Sequence, residues 1–148
     1  MNNQSMRRLF TRRDERGSAV IETVICVPAF MLFVFLIMIG GRLAIAQQAV
    51  EAAASEAART ASMARTQGGA HARAATGAQT SLDDQGLRCT STEVDVDTAG
   101  FAASIGTPAK VTATVACVID VSDLPLPGLR AYTLTSTMSS PIDSYRER

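Results

Sequence analysis

The stretch RGSAVIETVICVPAFMLFVFLIMIGGR, residues 16–42, decides how this chain is organised. From Val24 to Gly41 no residue is charged, and between Ser18 and Val24 the single charge is Glu22. At about 1.5 Å per residue, a helix over 18–41 is long enough to cross the roughly 30 Å hydrocarbon core of a bilayer. Arg7, Arg8, Arg12, Arg13 and Arg16 precede it, against Asp14 and Glu15, while only Arg42 follows closely. The positive-inside bias therefore places the leader in the cytoplasm and the residues after Gly41 outside. Glu22 is the anomaly, because a carboxylate at the bilayer centre costs on the order of 2.5–3.5 kcal/mol. Either it lies one turn inside the boundary and reaches back to interfacial water, or it has a partner in the membrane.

A cleaved secretory signal would also begin with a basic and an apolar region, and Ala44-Ile45-Ala46 fits an A-x-A site that would release a small domain after Ala46. The apolar run is longer than the usual ~7–15 residues of such signals. Arg42 would also stand just before the cut. Arg7-Arg8-Leu9-Phe10 has a faint twin-arginine character.

Working outward, Pro28 lies inside the apolar helix, where it removes one backbone donor and should kink the axis. Gly40-Gly41 is a second soft point. From Arg42 to Thr66 there is no Pro or Gly, and Ala dominates, so the helix should continue outward. Ala46, Ala49, Ala53, Ala57, Ala61 and Ala64 recur at spacings of three and four, a stripe that lets another element approach closely. Glu51, Glu56, Arg59 and Arg65 read as a solvated or pairing face. Gly68-Gly69 is expected to end the helix, and residues 68–88 to form a linker with a short helix broken at Gly77 and Gly86.

From Arg88 the period changes from helical to two. Thr92–Asp97, Lys110–Val121 and Ala131–Met138 alternate and are rich in Val and Thr, which predicts three strands. Gly100–Pro108 and Pro125–Gly128 read as their connections. The expected fold is α+β. A long N-terminal helix, first membrane-spanning and then Ala-rich and extracytoplasmic, precedes a small antiparallel three-stranded sheet. The expected divisions are a basic leader (1–17), a spanning helix (18–41), an Ala-rich helix (42–67), a linker (68–88), a β-rich head (89–140) and a polar tail (141–148).

Cys89 and Cys117 fall in the strand-like half, outside the membrane, where a disulfide persists and would clip the first two strands. Their phases conflict. Cys117 is in step with Val111, Val115 and Ile119, while Cys89 is out of step with Val94 and Val96. A bulge, or Cys89 lying before the strand, would reconcile them. Cys26 reads as a small hydrophobe of the apolar helix.

Formal net charge is zero, so no basic field points to nucleic acid. One histidine, His71, and no C-x-x-C spacing argue against zinc. Asp83-Asp84 and Glu93, Asp95 and Asp97 lack a D-x-D-x-D-G loop and read as solvated faces rather than a calcium site. With no nucleophile beside a base and no phosphate loop, no enzyme, cofactor, metal or small-molecule substrate is expected.

The order basic cluster, Gly17, Ser18-Ala19-Val20-Ile21, Glu22, Pro-containing apolar helix and Ala-rich stretch resembles the TadE/TadG-like pilus assembly family. These are type IV pilin-like pseudopilins of the tight-adherence, or Flp, pilus system. The resemblance covers residues 12 to about 66; directly after the glutamate, where such proteins often carry an aromatic, stands Thr23. It implies that a prepilin peptidase cuts after Gly17, that Ser18 becomes the N-terminus, and that Glu22 pairs with the ammonium of a neighbouring subunit. The implied partners are the membrane, that peptidase, other pilin and pseudopilin subunits and the pilus assembly platform. An uncleaved single-pass protein with an extracytoplasmic binding head is the rival reading from the residues alone.

Overall fold

The computed structural model describes residues 7–104, 106–122 and 130–143, with side chains from Val20 onward. It contains helix α1 (Arg7–Ser62), helix α2 (Gln67–Asp84) and strands β1 (Ser91–Asp97), β2 (Ala109–Asp120) and β3 (Ala131–Ile142), with one turn of 3₁₀ helix at Ala99–Ala102. This is the α+β order expected. The chain divides into two compact units, Met1–Arg42 and Leu43–Arg148.

In the first unit the large apolar side chains from Val20 to Met38, including Phe30, Leu32, Phe33 and Ile37, are exposed all round the helix. Leaving one such side chain in water costs about 1.5–3 kcal/mol. A helix apolar on every face is stable only in an apolar surrounding. Among the described residues this is the one helix long and apolar enough to cross a membrane. Pro28 sits within it. The helix already runs at Arg7, so Gly17 and Ser18 lie inside it rather than at its start. No proline separates Arg7 from Ser18, and one interior glycine costs only about 1 kcal/mol.

In the second unit the alanine stripe is the packing face. Ala46, Ala49, Ala53, Ala57, Ala61 and Ala64 are all buried, together with Val50, Ala54 and Ala58. On one side this part of α1 meets α2. The Thr60 hydroxyl donates to the Arg73 carbonyl (3.1 Å), and the Gln85 amide donates to the Ala49 carbonyl (3.3 Å), so the helices run antiparallel. On the other side it meets β3, where Ser140 Oγ donates to Ser62 Oγ (3.1 Å) and the Gln47 amide reaches the Thr135 carbonyl (3.4 Å). α2 lies against β1.

The strands form one antiparallel sheet in the order β1-β2-β3. Its inner face carries Val96, Val111, Ala113, Val115, Cys117, Leu134 and Ile142 into the core. Its outer face carries Glu93, Asp95 and Asp97, then Thr112 and Thr114, then Thr133, Thr135, Thr137 and Ser139. Thr114 and Thr137 share a hydrogen bond across the strands (2.9 Å). The end of β2 is fixed by Asp120, whose Oδ1 accepts the Ser122 N–H (2.9 Å). That bond holds the Asp120 carboxyl below its ordinary range.

Three sequence expectations are corrected. The first helix ends at Ser62, not at Gly68-Gly69. Thr66 caps α2, its side chain accepting the Gly69 N–H (3.1 Å), and that cap draws both glycines into the first turn of α2. Gly77 is no break: it is buried within α2 where a Cβ would stand 2.7 Å from Thr60 Oγ1, so its bare backbone sets the helix–helix approach. Gly86, with φ of 68°, does follow the end of α2. Finally, the tail does not begin at Pro141, because β3 runs to a buried Ile142. The Pro125–Gly128 connection and residues 144–148 lie outside the described residues.

Gly77→Leu should destabilise the second unit by about 1–3 kcal/mol through overpacking against Thr60. The check is the denaturant midpoint of the detergent-solubilised full chain. Gly68→Ala, where nothing lies within 4 Å, should leave the midpoint unchanged or slightly raised.

Candidate assembly site

The residues expected to carry function fall in two places, which the two units hold separately. In the first unit Glu22 projects from α1 with Cys26 and Phe30 following at intervals of one turn, on the same face. Glu22, Thr23, Cys26, Val27, Phe30 and Met31 line a shallow concavity on the helix surface. Cys26 is a free, exposed thiol. Pro28 offers no N–H, so the Val24 carbonyl one turn before it lacks its helical donor. The face therefore combines one carboxylate with a hydroxyl, a thiol and apolar groups from Val27 to Phe30 and Met31, a surface suited to another helix and to one partner of positive charge. Gly17 and Ser18 share α1 with Glu22, so the peptide bond between them belongs to a helical turn.

In the second unit Cys89 and Cys117 are joined, with Cα atoms 5.4 Å apart. Cys89 lies before β1, which begins at Ser91, and a bulge at that end resolves the conflict of phase. The Thr90 N–H donates to the Val118 carbonyl (2.7 Å), although Val118 stands opposite Ser91 in the register. Two residues of one chain thus face a single partner, and the extra residue turns the chain before it to the other face. Cys89 thereby packs against the same core that buries Cys117.

The remaining candidates behave as surface. Glu56 and Arg59 form a two-point ion pair along α1, at 2.9 Å for each contact. The Arg59 hydrogen bond holds the Glu56 carboxyl below its usual range. His71, Asp83, Asp84, Glu93, Asp95 and Asp97 are exposed. Among the described residues no three His, Cys, Asp or Glu side chains are grouped to hold a metal ion. A groove between α1 and α2 is lined by Glu56, Thr60, Arg73, Thr76 and Thr80. What sequence reasoning missed is the second helix–helix contact. Its signal was present, since Ala70, Ala74, Gly77 and Ala78 repeat the small-residue spacing of α1.

A family model described as TadE-like protein matches residues 17–59. No curated protein and no solved structure matches the chain. The matched segment starts at Gly17, includes Glu22 and the apolar helix, and ends within the alanine stripe.

The disulfide lies beyond that match and is testable on its own. Replacing both Cys89 and Cys117 by Ser should lower stability by about 3–4 kcal/mol in the chain-entropy treatment of a loop this long. Denaturant unfolding of the full chain, compared with the reduced parent, checks it. Equal midpoints for the double variant and the oxidised parent would show that the clip contributes nothing.

Proposed function

We propose that this chain is a membrane-anchored pseudopilin of a tight-adherence, Flp-type pilus system, a non-enzymatic subunit used in assembling a surface pilus. The observation that carries the reading is the coincidence of the TadE-like match with the physical anomaly of the helix. The match begins at Gly17 and runs through Glu22, the one acidic residue of the apolar, all-round exposed stretch Val20–Met38. The apolar side chains decide insertion, because several of them at about 1.5–3 kcal/mol each outweigh one carboxylate. The carboxylate is thus free to serve a step after insertion.

In this reading a prepilin peptidase cuts between Gly17 and Ser18. The bond lies in a helical turn, so the leader end of α1 must unwind locally before an active site can take it as extended chain. The cut removes the arginine-rich leader and leaves an ammonium at Ser18. Glu22 of one subunit then pairs with the ammonium of a neighbour, and each charge relieves the other in low dielectric. The pair fixes the axial register of adjacent helices, as single buried polar groups do in coiled coils. The head, with its sheet and disulfide, lies outside the cell membrane. Partners are the peptidase, other pilin subunits and the assembly platform.

Two measurements test this. Intact mass of the protein from native membranes should show a chain starting at Ser18; a start at Gln47 or an uncut leader would sink the pseudopilin reading. Glu22→Ala should leave insertion and cleavage intact and abolish recovery in sheared pili. Normal recovery of that variant would refute the pairing while leaving the processing step standing.

A further inference from the structure

The two edges of the sheet differ in kind. β1 carries Glu93, Asp95 and Asp97 on the outer face and a bulge at Thr90-Ser91. Charges and bulges of this sort protect an edge from unwanted pairing. β3 is longer, and no residue from Ala131 to Ile142 is charged. The Val121 N–H donates to the Arg130 carbonyl (3.0 Å), which fixes the alternation of the β2–β3 ladder. Followed along the register, the N–H and C=O groups of Tyr132, Leu134, Ser136 and Met138 point to β2. Those of Thr133, Thr135, Thr137 and Ser139 point to the open edge. Pro141 falls in the same outward set, where its missing N–H breaks no ladder bond. Among the described residues one side chain, the Gln47 amide, reaches this row, at 3.4 Å from the Thr135 carbonyl.

A long uncharged edge left open is a template for another strand. Two copies of this sheet offer three pairings. β1 against β1 sets like carboxylates opposite one another, which is destabilising. β3 against β3 about a two-fold axis is isologous and stops at two copies, whereas β3 against the β1 of a next copy is heterologous and can repeat without limit. We infer that β3 of one copy takes β1 of a second copy as its fourth strand, extending the sheet from subunit to subunit. This rests on the reading of the chain as a subunit of a linear assembly, which excludes a contact that closes at two.

The chemistry of the two edges fits. β1 and β3 both run antiparallel to β2, so copies repeated side by side bring β3 and the next β1 together in parallel. Glu93, Asp95 and Asp97 of one copy then stand beside Thr135, Thr137 and Ser139 of the other, each carboxylate next to a hydroxyl on the outer face. Inside the subunit Asp95 stands opposite Thr114 and Asp97 opposite Thr112 in the register, while the Thr114 hydroxyl bonds Thr137 and Asp97 Oδ1 accepts the Ala99 N–H. Hydroxyl-to-carboxylate bonds are charge-assisted, but water at this exposed face leaves each one weak, so they select the partner more than they hold it. The outward backbone groups of Thr92 and Val94, both half-buried, continue the ladder.

The test uses two differently tagged full-length chains, both carrying Cys26→Ser, co-expressed in pilus-forming cells. One carries Asp95→Cys and the other Thr137→Cys. Mild oxidation of membranes and sheared pili should give a mixed-tag disulfide dimer, and neither chain alone should give a like-tag dimer. Absence of the mixed dimer, from variants whose unfolding midpoints match the parent, overturns the inference. So does a like-tag dimer of the Thr137→Cys chain, which would mean that β3 pairs with itself. Wild-type chain recovered in pili without the mixed cross-link would overturn the strand pairing alone. Wild-type chain missing from pili would count against the pseudopilin reading, and the cross-link in membranes would still decide the edge.

Discussion

The second unit depends on how closely two helix backbones and a sheet can approach one another, and alanine sets that distance. The buried face of α1 from Ala46 to Ala61 holds one residue larger than alanine, Val50. α2 answers with Ala70, Ala74, Gly77 and Ala78. With so little side chain between them, the helices gain little from hydrophobic area per residue. They gain instead from dispersion at short range and from bonds that only close backbones permit, such as the Thr60 hydroxyl on the Arg73 carbonyl. The larger side chains, Leu82, Val111, Val115 and Leu134, fill the remaining space over the sheet. A core of this kind is intolerant of added volume and modest in energy. The disulfide between Cys89 and Cys117 is the physical answer to that weakness, since it restrains the unfolded chain without needing core volume.

Most of this was legible in the residues, for reasons that differ by element. The apolar helix announces itself by composition, and the alanine stripe by period. The three strands follow from a period of two, and their edges fall within a residue or two except at the end of β3. There the sequence reads as a polar tail from Pro141, whereas on an open edge a proline costs no ladder bond. The glycines were harder. Gly68, Gly69 and Gly77 are identical letters with different duties, and only tertiary contact separates them. Thr66 supplies a cap that draws the first two into α2, and Thr60 supplies the neighbour that forbids a side chain at the third. The cysteine pair was legible as chemistry but not as geometry. The phase conflict calls for a bulge or for a Cys89 outside the strand, but only the bond from the Thr90 N–H to Val118 shows where the chain turns.

The candidate site was legible for another reason. An acidic residue in a run such as Val20–Met38 is costly in lipid, so it stands out in the sequence before any fold is known. Nothing in the first unit's described residues offers Glu22 a charge partner within its own helix. The matching family segment covers that anomaly and stops short of the sheet, so residues 17–59 are read by likeness and the rest by physics alone.

Two kinds of recognition therefore serve one proposed assembly, and they obey different electrostatics. A Glu22–ammonium pair would form where the dielectric is low, is nearly insensitive to salt, and is costly whenever one member is missing. It enforces register because an unpaired carboxylate is the penalty for a wrong one. A β1–β3 contact would form in water, where carboxylate–hydroxyl bonds are individually weak and the row of backbone bonds carries the affinity. Backbone bonds discriminate poorly among sequences, so an open edge alone would accept many strands. The carboxylates of β1 narrow the choice, since they reject their own kind and accept hydroxyls. Strong selection of position in lipid and permissive adhesion in water are complementary properties. A subunit carrying both can be held loosely by its head while its helix searches for the one depth at which Glu22 is neutralised.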